Sequence, residues 1–255
     1  MGKPARPPGA AAAGERVAWS VVIPAYNEAL RLPSYLQQVV VFLDGWGQAY
    51  EVVVVDDGSR DATAERVREF QALHQRVRLI VLPRNHGKGH AVKIGMLSAR
   101  GAFRLFTDAD GATPIEEIKR LEPLLQAGAD VVIGSRALED PAVSVQARRH
   151  RVWSGRIFNW VVARLGLEGI ADSQCGFKGF RDAAAVELFR SLRTEGFGFD
   201  VELLLLAQRR RYRIAEVAVN WADQPGSKVK ILTDGPRMVG QILRVRAALA
   251  REKGR

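Results

Sequence analysis

The sequence predicts an α/β fold: a mostly parallel central sheet with helices on both faces. Two observations carry this. From Trp19 to Ile133, short β-branched runs alternate with segments of helical periodicity. The runs also end in polar clusters, which the fold class gathers at the carboxyl edge of the sheet, where such sheets bind ligands.

Trp19–Ala25 reads as a buried strand, and Glu28–Leu43 follows with Leu32, Leu36, Val39 or Val40 and Leu43 at helical spacing. Glu51–Val55 is the second strand and Asp61–Leu73 a helix with Val67 and Phe70 inward. Val77–Leu82 and Phe103–Thr107 are further strands, separated by a helix over Gly89–Ala99. Pro114 suits the first turn of a helix reaching about Gln126, and Asp130–Ile133 is the fifth strand. The second half is less regular. Helices are expected over Gln146–Leu165, Asp182–Ser191, Asp200–Arg209 and Pro236–Arg251, and a strand over Arg213–Asn220. The resulting division is a disordered tail over 1–16, a main domain over 17–233 and a basic amphipathic helix over 234–255.

Composition narrows the function. Apolar residues make up 47% of 255, which excludes a disordered chain. The net charge of +10 favours anionic partners such as nucleotides or phospholipid head groups. Cys175 is the single cysteine, so no internal disulfide forms and a reducing compartment fits. Ala10–Ala13 is too short for the apolar core of a secretory signal, and no run approaches the roughly 20 apolar residues of a membrane span. Membrane contact is therefore expected to be peripheral, with Gln146–Leu165 and Pro236–Arg251 as basic helices able to lie at an interface or to pack on the sheet.

The chemistry-bearing clusters sit at strand ends. Asp108-Ala109-Asp110 offers two carboxylates to one hard cation, Mg²⁺ or Mn²⁺, although Asp and Gly also suit a helix cap. Asp56-Asp57-Gly58-Ser59 is either a turn or a partner for a ribose hydroxyl or base N–H. Tyr26 could stack on a base, while Asn27 and Glu28 suit the start of a helix. His86-Gly87-Lys88-Gly89-His90 fails the Walker pattern, since Leu82 replaces its first glycine, yet Lys88 at a helix start can approach a diphosphate. The histidines His74, His86, His90 and His150 show no metal-ligand spacing, which argues against zinc. Spacing alone leaves Asp172–Lys178 and Phe199–Glu202 open between turns and a site, and Cys175 reads as a buried structural residue.

Taken together, Val22–Glu28, Val54–Ser59, Asn85–Gly89, Asp108–Asp110 and Gly134–Arg136 resemble the family 2 glycosyltransferases of GT-A fold, from Ser20 to about Arg246. Within that family, Asp108–Thr113, Gly134–Leu138, Asp172–Lys178, Phe199–Leu204 and Ala218–Trp221 are similar to the dolichyl-phosphate β-glucosyltransferase branch. Gly111-Ala112 stands where the mannosyl branch has Leu-Gln, which favours the glucosyl branch.

The resemblance implies inverting transfer of a hexose, glucose favoured, from a nucleotide sugar, UDP-glucose favoured, to a polyprenyl or dolichyl phosphate at the cytoplasmic face of a membrane. It implies that Asp108 and Asp110 hold Mg²⁺ or Mn²⁺, and that Pro24, Tyr26, Glu28, Asp56, Asp57, Lys88 and Asp108 line the nucleotide. Arg136 and Lys178 are the residues expected at the acceptor phosphate, with Asp172 beside them; Asp108, Asp110, Arg136 and Asp172 form the expected catalytic set. Three rivals stand: a GDP-mannose-dependent enzyme, a sugar nucleotidyltransferase, and an anionic-lipid-binding module without activity. A nucleic-acid partner is not expected, because clustered carboxylates repel phosphate unless a metal intervenes.

Overall fold

The computed structural model describes residues 17–146, 169–224 and 238–247, together with 162, 164, 166 and 167. The expected tail over 1–16 lies outside these residues. So does the expected helix over Gln146–Leu165, apart from Gln146, Val162 and Arg164.

The elements run β1 (Trp19–Ala25), α1 (Leu32–Trp46), β2 (Tyr50–Asp56), α2 (Thr63–Leu73), β3 (Val77–Val81), α3 (Lys88–Ser98) and β4 (Phe103–Thr107). A short 3₁₀ turn (Ile115–Glu117) precedes α4 (Ile118–Gln126), β5 (Val131–Ser135), β6 (Val145–Gln146) and β7 (Phe177–Arg181). Then come α5 (Asp182–Ser191), α6 (Phe199–Arg209), β8 (Ile214–Ala218), β9 (Trp221–Ala222) and a helix over 238–247. Seven strands form one sheet in the order β3-β2-β1-β4-β7-β5-β8, and β6 pairs with β9 separately. β7 alone runs against its neighbours β4 and β5.

Period-two alternation divides the core into two layers. Trp19, Val21 and Ile23 of β1 and Val52 and Val54 of β2 face α1, α2 and α4. Val22, Val53 and Val55 face α3, α5 and α6. Central strands buried on both faces read as continuous apolar runs, which is why β1 and β2 were legible. The helix over 238–247 buries Met238 and Ile242, the latter in the second layer. This part of the expected Pro236–Arg251 helix thus packs on the protein through those two residues, while Leu243 on it stays exposed. Among the described residues no helix is long and apolar enough to cross a membrane.

The connections reverse direction between β1 and β4, so a crevice opens there at the carboxyl edge. The β1–β4 ladder stops at Val22↔Phe106, whereas β1 stays paired with β2 to Ala25↔Asp56. Pro24, which lacks an N–H, lies beyond the end of that ladder and needs no partner there.

α3 packs on β1 through Gly95: a Cβ there would lie 2.3 Å from Val22 Cγ1 and 3.0 Å from Val55 Cγ2, both stiff and fully buried. Gly95→Ala is expected to lower the unfolding free energy by about 1–3 kcal/mol in urea titrations. A gain near the ~1 kcal/mol that alanine brings to an open helix position would contradict this contact.

Candidate active site

The carboxyl edge is assembled by loops that bond to one another. Asn27, at φ 50°, donates its backbone N–H to Ser59 Oγ (2.9 Å) and accepts from the Arg60 N–H through Oδ1 (2.8 Å). The Glu28 N–H reaches Thr63 Oγ1 at 2.8 Å. The loops after β1 and β2 thus form one unit, with half-buried Tyr26 on it. The Glu28 carboxylate takes a bidentate pair from Arg31, Nε to Oε2 at 2.8 Å and Nη2 to Oε1 at 2.7 Å. Asp108 and Asp110 add to Glu28 in raising the Arg31 pKa, so Arg31 lies within electrostatic reach of both aspartates.

Asp56 and Asp57 are both buried and face inward. Asp56 accepts from the Ser59 N–H and hydroxyl, the turn role left open above. Asp57 organises the next loop: it accepts from Asn85 Nδ2 (2.9 Å), the His86 N–H (2.9 Å) and the Gly87 N–H (2.8 Å). Burial raises its pKa, and the two backbone N–H groups pull it the other way. A carboxylate has about four acceptor directions, so roughly one remains for a ligand.

Asp108 and Asp110 stand at the tip of β4. The Asp108 N–H donates to the Gly176 carbonyl at 3.1 Å, and Oδ1 accepts from Lys88 Nζ at 2.6 Å. A Cβ on Gly176 would fall 2.0 Å from Asp108 Oδ2, so only glycine fits beneath this carboxylate. Asp110 accepts one bond, from the Ala112 N–H at 3.1 Å. Its pKa is raised first by burial and then by Asp108. Burial also works against the Lys88 ammonium, but Asp108 and Asp200 outweigh it and raise its pKa. Gly111, at φ 66°, turns the chain where a Cβ would meet Tyr35 Cδ2 at 2.8 Å; Tyr35 in turn bonds Thr107 Oγ1 at 2.8 Å.

Arg136, just past β5, is clamped on Asp172: Nε to Oδ2 at 2.6 Å, Nη2 to Oδ1 at 2.8 Å, and its own N–H to Oδ2 at 3.0 Å. The guanidinium also lies over the Trp221 ring, 5.5 Å from its centroid. Glu216 of β8 fixes the Asp172 backbone, accepting from the Ala171 and Asp172 N–H groups at 2.8 and 3.0 Å.

Lys178 departs from expectation. Its register in β7 turns it into the second core layer, where it is fully buried. Nζ bonds Asp200 Oδ1 at 2.5 Å and the Cys175 carbonyl at 2.6 Å. A fully buried ammonium committed to two acceptors does not meet an acceptor phosphate; Lys178 supports the floor beneath Asp108 and is withdrawn as a phosphate ligand. Cys175 is buried and its thiol pKa is pushed up to about 12, first by burial, which agrees with a structural role.

The structure thus gathers Tyr26, Glu28, Asp57, Lys88, Asp108, Asp110, Arg136 and Asp172 at one edge. The sequence reading gave no role to Arg31 or Glu216, held Asn85 only as part of a family motif, and left Asp200 open between a turn and a site. Asp200 and Glu216 carried a weak signal, as acidic residues within otherwise apolar elements.

Residues 20–189 match the family described as Glycosyl transferase family 2. The chain belongs to that family. A dolichyl-phosphate beta-glucosyltransferase of Dictyostelium discoideum is 38% identical to this glycosyltransferase over 242 residues, 89% of this chain and 73% of that protein. The Drosophila melanogaster protein of the same name is 42% identical over 224 residues, 82% and 68% of the two chains. Among solved structures, glucosyl-3-phosphoglycerate synthase from Mycobacterium tuberculosis with UDP superposes with a TM-score of 0.66 at 21% identity, over 91% of this chain and 79% of that one. The same enzyme with Mn²⁺, UDP and glucosyl-3-phosphoglycerate gives 0.64 at 22%, over 89% and 78%. The fold of this glycosyltransferase is GT-A.

The Arg136–Asp172 clamp yields a pH prediction. Burial alone would raise the Asp172 pKa, but Arg136 reverses the shift and holds it below the ordinary value. The pair's stabilisation is present above the unfolded carboxyl value, about 3.9, and is lost as pH falls through the lower folded value. Asp172→Ala leaves Arg136 without its partner and is expected to cost about 3 kcal/mol at pH 7. The difference from wild type should shrink as denaturation is repeated below pH 4. A pH-independent difference would contradict the ion-pair account.

Proposed function

We propose that this glycosyltransferase transfers glucose from UDP-glucose to the phosphate of dolichyl or a related polyprenyl phosphate, with inversion at the anomeric carbon. The observation that carries this reading is the β4 tip, where Asp108 and Asp110 share one edge with Lys88 and Arg136. The names of the relatives supply the sugar and the lipid class.

Asp108 and Asp110 fit a divalent ion. Both donors are hard oxygens on half-buried side chains, and partial burial together with the neighbouring Asp108 raises the pKa of Asp110. Asp110, with Asp108, would hold Mg²⁺ or Mn²⁺, which supplies charge neutralisation to the diphosphate leaving group. Structural neighbours crystallised with Mn²⁺ and UDP support the same choice.

The protein's own groups do the rest. Tyr26 offers a ring face to the base, and the remaining acceptor direction on Asp57 suits an N–H of the base. Lys88 places a cation beside the diphosphate. Arg136 spends Nε and Nη2 on Asp172, which leaves Nη1 to be directed to the acceptor phosphate. That phosphate is already ionised at neutral pH, so it needs orientation and charge balance more than a strong base. One of its oxygens bonds to the anomeric carbon as the bond to the diphosphate oxygen breaks, and the electron pair leaves with the nucleoside diphosphate. A membrane-carried acceptor brings the site to a bilayer surface, and the net charge of +10 suits an anionic, cytoplasmic leaflet.

A donor screen on a short polyprenyl phosphate, read as glycolipid mass, tests the reading. UDP-glucose is expected to give product and GDP-mannose little, and EDTA should abolish turnover. Asp110→Ala should lower kcat by at least about 10²-fold. Product from GDP-mannose alone would move the chain to the mannosyl reading. Pyrophosphate release from a nucleoside triphosphate would favour a nucleotidyltransferase. Asp110→Ala turnover near wild type would sink the metal assignment.

A further inference from the structure

His86 and His90 lie either side of Lys88 in sequence, each two residues from it. Lys88 opens α3 and turns to Asp108, so at about 100° per residue His90 projects from the other side of that first turn. The two imidazoles stack there, with centroids 4.6 Å apart and planes 23° from parallel. The loop before α6 brings Glu195 to them, with Oε1 3.6 Å from His90 Nδ1. One donor atom from each of the three residues lies within 4.8 Å of the others. The sequence reading found no metal spacing among the histidines because the third group comes from a distant part of the chain.

The backbone under these donors is fixed. The His90 N–H bonds the Glu195 carbonyl at 3.2 Å, and a Cβ on Gly87 would meet that same carbonyl oxygen at 2.6 Å. Gly89 is equally close, with Thr194 O at 2.5 Å from its would-be Cβ. Buried Glu202 holds the other side of the loop, accepting from the Arg193 N–H (3.0 Å) and the Thr194 N–H (2.7 Å). Lys93 Nζ reaches the Leu192 carbonyl at 2.7 Å. The loop at 193–195 and the start of α3 are thus joined by hydrogen bonds and close backbone packing, which holds the three side chains on one framework.

We propose that His86, His90 and Glu195 form a second metal site, selective for a late first-row ion of the Zn²⁺ class and distinct from the aspartate pair. Two imidazoles and one carboxylate suit Zn²⁺, Co²⁺ or Ni²⁺ and disfavour Mg²⁺, the reverse of an all-carboxylate set. Tetrahedral ligation at about 2.0–2.1 Å places donors about 3.3 Å apart. The exposed Glu195 side chain and the half-buried His90 have the freedom to close that gap. Bound there, an ion would staple the loop that Asp57 organises to the loop before α6, beside the diphosphate lysine.

The test is Zn²⁺ titration of the full chain without a polyhistidine tag, followed by calorimetry and by thermal unfolding. Wild type is expected to bind one equivalent and to gain Tm, since an ion that binds only the folded state stabilises it. Asp110→Ala should bind equally. His86→Ala and His90→Ala should lose affinity by roughly 100-fold or more, and Glu195→Gln by roughly 10–100-fold. Mg²⁺ at the same concentration should give none of this binding at the histidines. Imidazole NMR of the wild-type chain needs no variant: Zn²⁺ should shift two of the four histidines, together. No stoichiometric Zn²⁺ binding, equal binding by the histidine variants, or loss of binding with Asp110→Ala would each overturn the proposal.

Discussion

The site depends on one close approach, that of the Asp108 carboxylate to Gly176. β7 runs against its neighbours and so delivers its first residues, and the loop before them, to the edge where every other strand of the sheet ends. The Gly176 carbonyl then takes the Asp108 N–H, and the absence of a Cβ at Gly176 makes room for Oδ2. Were β7 parallel, that loop would lie at the opposite edge and Asp108 would face open solvent. The same reversal places Lys178 under the site, where Asp200 neutralises it, and the pair holds the floor through the Cys175 carbonyl.

The charges around this point are layered. Lys88 and Arg31 face the aspartates, Glu28 occupies Arg31, and Asp172 occupies Arg136. Arg31 and Arg136 are each oriented by an acid set behind them, and Lys88 by Asp108 itself, an arrangement that fixes geometry before substrate arrives. Burial first, and then the nearby Asp108, raise the pKa of Asp110.

Much of this was legible in the sequence because it is local. Parallel strands buried on both faces announce themselves as apolar runs, and Asp108-Ala109-Asp110 ends such a run. β7 was not legible: Phe-Lys-Gly-Phe-Arg contains two charges and a glycine, so no strand is expected there from pattern, and the paired Asp200 is what makes a buried lysine tolerable. Lys178 was misplaced for the same reason. Asp57 was placed correctly at the edge, but its three donors from residues 85–87 lie in another loop and no local pattern announces them. Arg31 was hidden in a plain helix start, and its value comes from Glu28 three residues earlier and from aspartates on another strand.

The central claim is that the aspartates at the tip of β4 gather a divalent ion against the donor's diphosphate. The most direct measurement is anomalous scattering from crystals grown with Mn²⁺ and UDP. The account predicts an Mn²⁺ peak in coordination contact with Asp110, next to Asp108 and the diphosphate oxygens. UDP bound in the crevice with the aspartates free of metal, or Mn²⁺ bound away from the β4 tip, would contradict it.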